Sequence, residues 1–145
     1  MRVYLDLCAI QRPLDDQSQL RVRAEADAVL DVLALCASGA LTLIASGVHT
    51  VEIARCPYPD RRDFVDDVLA LASHYVEVDS TLRQLAADYE SGGARRLDAI
   101  HLAAAVTAEA AYFCTTDDRL LKRGRTLDTR TTSVVSPLEF LLSLE

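Results

Sequence analysis

What this chain lacks narrows its chemistry before any motif is read. Its four cysteines, Cys8, Cys36, Cys56 and Cys114, are widely spaced, with no CxxC pair and no Cys–His finger spacing. A zinc cage or redox motif therefore has little support. Cys36 and Cys114 lie in apolar runs, where a free thiol packs as a small hydrophobe, and all four are expected to be reduced. No apolar stretch approaches the roughly 20 residues of a membrane span. The opening Met1-Arg2-Val3-Tyr4-Leu5-Asp6 reads as a strand, without the apolar core or cleavage site of a signal peptide. A cytoplasmic location with no membrane partner is expected. Repeats, low-complexity segments and interdomain linkers are absent, and so is any basic excess: 15 Lys and Arg face 22 Asp and Glu, a net charge of −7. That balance argues against broad, non-specific nucleic-acid binding. It does not exclude a nucleic-acid substrate, because setting four acids aside as cation ligands removes more than half of the excess.

The chain has 145 residues, 50% hydrophobic and 26% charged, enough for one domain with a full core. Val3–Leu5, Leu41–Ala45, Tyr75–Val78, Ala111–Thr115 and Thr132–Val135 read as strands, the last at an edge. Helical spacing predicts helices over Arg21–Ala37, Val48–Arg55, Asp60–Ser73, from Ser80 to Glu90, from Asp98 to Glu109, and over Asp117–Arg123 and Leu138–Leu144. Ser18, Ser46 and Ser80 are expected N-caps, and Gly92-Gly93 a hinge. Strands alternating with helices indicate a single three-layer α/β/α domain over residues 1–145, with a central, mainly parallel sheet. The apolar sets Leu30/Leu33 and Val65/Val68/Leu69 serve either the core or a homodimer, and a homodimer is expected.

Acidic residues stand at the ends of apolar runs, far apart in sequence. Asp6 closes Val3-Tyr4-Leu5, Glu52 lies one turn into the helix after Leu41–Ala45, Asp98 opens the run Ala99–Ala108, and Asp117 follows Ala111–Thr116. In a parallel α/β sheet the carboxyl ends of the strands face one crevice. Carboxylates gathered there repel one another unless a divalent cation intervenes. An all-oxygen donor set suits Mg²⁺ or Mn²⁺. Each acid also has an ordinary role available: Asp6 and Asp117 as helix caps, Glu52 as a surface ion-pair partner, Asp98 as a helix-dipole charge. His101, three residues after Asp98, reads either as a neighbour of the site or as a hydrogen-bonded core histidine.

Taken together, Tyr4-Leu5-Asp6, Thr50-Val51-Glu52-Ile53, Leu97-Asp98-Ala99-Ile100-His101-Leu102-Ala103-Ala104-Ala105 and Cys114-Thr115-Thr116-Asp117-Asp118-Arg119-Leu120-Leu121 resemble the PIN-domain ribonucleases, in size the VapC-type toxins of bacterial toxin–antitoxin pairs. The resemblance spans nearly the whole chain. It implies a PIN-like fold and a metal-dependent endoribonuclease acting on RNA, with an antitoxin as possible partner. Asp6 and Asp98 are then central ligands of Mg²⁺ or Mn²⁺, with Asp117 beside them. Glu52 binds a second metal or orients the attacking water, and Asp118 is the reserve for Asp117. Arg12, Arg95, Arg96, Thr116 and Arg119 are the expected substrate contacts, with Thr115 an alternative to Thr116. One departure stands out: the family usually has a small hydroxyl residue and then Asn after the first Asp, where this chain has Leu7 and Cys8.

Two other enzyme classes fit less well. A haloacid-dehalogenase-type enzyme expects a second acid where Cys8 stands, and a response-regulator receiver expects an acidic pair at the first strand end and a later strand-end Lys. A PIN-like binding module with weakened activity is the non-enzymatic alternative, supported by Leu7-Cys8 and opposed by retention of all four acids.

Overall fold

The computed structural model describes residues 1–145. Five strands, β1 (Arg2–Leu5), β2 (Thr42–Ser46), β3 (His74–Val76), β4 (Tyr112–Cys114) and β5 (Ser133–Val135), form one parallel sheet in the order β3-β2-β1-β4-β5. The helices are α1 (Leu7–Gln11), α2 (Leu20–Ala37), α3 (Gly47–Ala54), α4 (Pro59–Leu69), α5 (Ser80–Ser91), α6 (Arg96–Thr107), α7 (Asp118–Gly124) and α8 (Pro137–Ser143). A short 3-10 turn, Arg12–Leu14, follows α1. No helix is long and apolar enough to cross a membrane.

Side-chain alternation divides the core between the two faces of the sheet. Tyr4, Ile44 and Phe113 point into a cluster with α5, α6 and α7. Val3, Leu5, Leu43 and Cys114 point into a second cluster with α1, α2, α4 and α8. Both faces are covered, which is why the strands read as nearly continuous apolar runs. Helix α6 is buried almost all round, its Ala103-Ala104-Ala105 run allowing close approach to the sheet and to α5.

The apolar sets considered for a homodimer are used at home. Leu33, Val65 and Val68 are buried in the second cluster and Leu69 packs against it, leaving Leu30 exposed.

Several local readings change. Helix α1 was not expected; it is five residues long, capped by Asp6. Gln19 occupies the cap position of α2 in place of Ser18, and Asp79, not Ser80, caps α5 by accepting the Leu82 N–H. Helix α6 starts at Arg96, so Asp98 lies in its first turn. Phe140 on α8 is fully buried and stacks edge-on against Tyr112 of β4. Phe140→Ala should therefore destabilise the fold by about 3–5 kcal/mol, read from the midpoint of a denaturant titration.

Candidate active site

The site is set by where the chain reverses direction across the sheet. From central β1, the connections to β2 and β3 run to one side while β4 and β5 lie on the other. Ligand crevices in open α/β sheets form at such a switch, outside the carboxyl ends of the strands. The β1–β4 register pairs Leu5 with Cys114, and the Asp6 N–H continues the ladder to the Cys114 carbonyl at 3.1 Å. Asp6 and Thr115 thus leave the sheet side by side.

Asp6 is buried, and both carboxylate oxygens are held. Oδ1 accepts the Ala9 N–H at 2.9 Å, capping α1, and Oδ2 accepts the Thr115 hydroxyl at 2.6 Å. The Thr115 hydroxyl also accepts the Asp117 N–H at 3.1 Å. Asp117 in turn caps α7 through the Arg119 and Leu120 N–H groups. Capping and site membership therefore coexist in Asp6 and Asp117. Thr115, the residue after β4, gives Asp6 a hydroxyl partner, where the usual hydroxyl after the first Asp is replaced by buried Leu7.

The other acids share the same field. Burial pushes the Asp6 carboxyl up to about 6, opposed by its Thr115 and Ala9 hydrogen bonds and by His101, with Asp98 adding repulsion. Asp98, half-buried at the start of α6, is raised by burial, then by Asp117 and Glu52, with His101 and Arg95 opposing. Cys8 at the start of α1 is exposed as a residue, but protein packed around its thiol pushes it up to about 12, with the charges of Asp6, Glu52, Asp117 and Asp98 adding to the rise. Asp98 thus raises Asp6, and Asp117 and Glu52 raise Asp98, while Asp98 and Asp117 line separate cavities, Cys8 beside Asp117.

Glu52 is held by a chain of buried polar groups. Its Oε1 lies 2.7 Å from His101 Nε2; His101 Nδ1 is 2.6 Å from the Tyr4 hydroxyl, which is 2.8 Å from Ser46 Oγ. With a neutral ring, Nε2–H donates to the carboxylate and Nδ1 accepts the Tyr4 proton, so every donor has an acceptor. His49 stacks on Tyr4 at 4.7 Å, accepts the Ser46 N–H at Nδ1 and donates from Nε2 to the Leu5 carbonyl beside Asp6. Burial, then His101, lowers His49 to about 3. Both readings of His101 hold at once: it is a hydrogen-bonded core residue, and it touches the site.

The expected substrate contacts separate. Arg95, Arg119 and Asp98 line one cavity of about 220 Å³, with Lys122, Arg123 and Gly93. Thr116 and Arg12 line another of about 310 Å³ with Cys8, Arg61 and Asp117. Arg96 turns away from the acids into a groove with Arg55 and Arg83. Arg12 is not a free cation: it donates to buried Glu25 at 2.7 Å and to Asp15 at 3.1 Å. Asp118, the reserve for Asp117, is exposed, paired with Arg21 and held below the usual carboxylate range by it; it does not join the acids.

Glu25 was overlooked in the sequence, yet it lies three residues after Val22 and four before Val29, on the apolar face of α2. Gly92 and Gly93 are packing positions: a Cβ on Gly92 would meet Leu127 Cδ2 at 2.4 Å, and one on Gly93, at φ +106°, would meet the Arg123 guanidinium at 3.0 Å.

No family model matches the chain. It is 34% identical over 109 residues to Ribonuclease VapC35 of Mycobacterium tuberculosis, in strains CDC 1551 / Oshkosh and ATCC 25618 / H37Rv, covering 73% of this chain and 74% of that protein. The chain belongs to the VapC family. A crystal structure of VapBC2 from Rickettsia felis bound to a promoter DNA fragment superposes over 94% of this chain and 98% of that one, with TM-score 0.62 and 13% identity. The PIN-like α/β/α architecture is thus common to this chain and its VapC relatives.

Two outcomes follow for this VapC protein. Arg12→Leu leaves Glu25 buried with only Arg21, at 3.5 Å, and should cost about 3 kcal/mol, near the lower figure for breaking a buried pair; chemical denaturation reads it. The second concerns pH. Because Asp6 binds its proton more tightly when folded, its contribution lowers stability as pH rises from the unfolded value of 3.8 through about 6. In a chelator, Asp6→Asn should therefore melt higher than wild type at pH 7–8 (about neutral), and the gain should vanish below the unfolded value. A gain independent of pH would contradict the assigned cause.

Proposed function

We propose that this chain is a metal-dependent endoribonuclease that hydrolyses RNA phosphodiester bonds as the toxin of a type II toxin–antitoxin pair. What carries the reading is the placing of Asp6 and Asp117 at neighbouring strand ends and of Glu52 and Asp98 on the helices beside them, near enough that Asp98 raises Asp6 and that Asp117 and Glu52 raise Asp98, each after burial. The kinship with a protein named as a ribonuclease supports RNA as the substrate, and the likeness to a VapBC2 complex supports an antitoxin partner.

The donor chemistry fits Mg²⁺ or Mn²⁺. No three His, Cys, Asp or Glu residues close a cage by themselves, and Mg²⁺ asks for only one or two carboxylates because it retains waters. Asp6 and Asp98 would hold it, with Asp117 beside them and Glu52 at the rim. Bound there, the ion would supply Lewis acidity toward the phosphodiester and acidify water.

The remaining work falls to side chains of the chain. Thr115 fixes the Asp6 rotamer through its 2.6 Å hydrogen bond. His101 holds Glu52 by Oε1 alone, leaving Oε2 to accept a proton from an attacking water, the task of a general base. Arg95, at the start of α6, offsets charge at Asp98 and can meet the phosphate.

A weakened binding module is the second reading. The observation favouring it is Cys8, which lines a cavity with Asp117 and stands where the family usually has Asn. One experiment separates the two. Wild type should cleave single-stranded RNA only with Mg²⁺ or Mn²⁺ present, and Asp98→Ala should lose at least about 100-fold of that rate, a loss of roughly 2.7 kcal/mol in transition-state stabilisation. RNA binding without cleavage at any metal concentration would support the module. The same cations should raise the melting temperature, less so in Asp6→Asn. Equal shifts in both proteins would remove Asp6 as a principal ligand.

A further inference from the structure

Several of the chain's arginines are engaged in ion pairs within the chain. Arg12 pairs with Glu25 and Asp15, Arg61 with Asp15, Arg21 with Asp118, and Arg125 with Glu139. The cavity bounded by Gly93, Arg95, Asp98, Arg119, Lys122 and Arg123 differs: none of its four cations forms an ion pair. Asp98 is the acid in that wall, and it belongs to the candidate active site. Four cations around about 220 Å³ repel one another, and an anion that enters relieves them.

Gly93 adds a geometric observation. Its φ of +106° suits glycine, and its bare Cα lets the Arg123 guanidinium lie where a Cβ would be 3.0 Å from both Nε and Cζ. The Arg123 head is therefore laid against the turn that precedes α6, over the same cavity as Arg95. Four of its nine lining residues are cations and none is an aromatic on which a base could stack, which suits a backbone phosphate better than a base. Arg55, Arg83 and Arg96 are also unpaired, but no member of the acid cluster lines their groove of about 450 Å³.

We propose that the cavity formed by Gly93, Arg95, Arg119, Lys122 and Arg123 is an RNA phosphate subsite that grips the phosphate next to the scissile one, so that the strand leaves the acids on the α7 side. The proposal rests on the reading of the acid cluster as a phosphodiester-hydrolysing centre, but it is tested apart from cleavage. A fluorescein-labelled single-stranded oligoribonucleotide of about 12 nucleotides is titrated with full-length protein in chelator, over a series of salt concentrations. Lys122→Gln/Arg123→Gln should reduce the magnitude of the log–log salt slope by about 1.4, at roughly 0.7 per single-strand phosphate contact. Arg55→Gln/Arg83→Gln should keep the wild-type slope. Gly93→Ala, which displaces Arg123, should reduce it by about 0.7. If that variant fails to fold, the double variant decides, because neither of its side chains has a partner in the chain to lose.

An unchanged slope in Lys122→Gln/Arg123→Gln overturns the subsite, as does an absence of RNA binding by wild type. It is overturned too if the double variant keeps the RNA slope but loses affinity for the antitoxin, which would assign the cations to a protein partner. A reduced slope in a protein that never cleaves RNA with Mg²⁺ upholds the cavity as an RNA phosphate site but defeats the nuclease reading, and with it the place beside a scissile bond. Cleavage with an unchanged slope does the reverse.

Discussion

The pairing of β1 with β4 is the constraint on which the rest depends. These two strands are neighbours in space but lie more than a hundred residues apart, and their register decides which residues emerge together at the carboxyl edge. Because Leu5 faces Cys114, Asp6 is followed across the ladder by Thr115, and its carboxylate is buried with a hydroxyl and an amide already in place. A slip of β1 by one residue would exchange its two faces, taking Tyr4 out of one core and Leu5 out of the other. The packing that enforces the register therefore also enforces the position of the acid. Site and core are specified by one set of contacts.

The polar chain from Ser46 through Tyr4 and His101 to Glu52 extends this logic to the second half of the sheet. It joins β2, β1, α6 and α3 with no buried side-chain polar atom left unpartnered. Such a network is tolerated in an interior only when complete, since a single orphaned group there costs about 1–3 kcal/mol. Its completeness leaves one arrangement of Glu52 favoured over the many that a half-exposed glutamate would otherwise sample.

Much of this was legible in the sequence, for physical reasons that differ between residues. The strands and long helices are visible because burial on both sheet faces or along a helical stripe imposes a periodic pattern, as in Val22, Ala26, Val29 and Leu33. Asp6, Glu52, Asp98 and Asp117 stand out because a charge at the end of an apolar run is conspicuous. Helix α1 escaped notice because five residues are fewer than two turns and carry no period of their own. Arg12 and Asp118 looked available because their partners, Glu25 and Arg21, lie on α2, and a sequence offers no measure of such tertiary pairing. The choice between Thr115 and Thr116 likewise waits on the direction in which β4 ends; Thr115 faces Asp6, while Thr116 faces the cavity with Arg12.

The two outer strands have a bearing on how this fold behaves in a crowded solution. At both margins of the sheet the terminal strand, β3 on one side and β5 on the other, is only three residues long. An unpaired strand edge is a template on which another chain can add, and brevity is one of the ways natural sheets blunt it. Each margin here offers a foreign strand too few free amides and carbonyls to register against. The most fully buried strands, β1, β2 and β4, lie in the interior, so the same sheet that carries the acids at its carboxyl end is poorly suited to recruiting neighbours into a fibril.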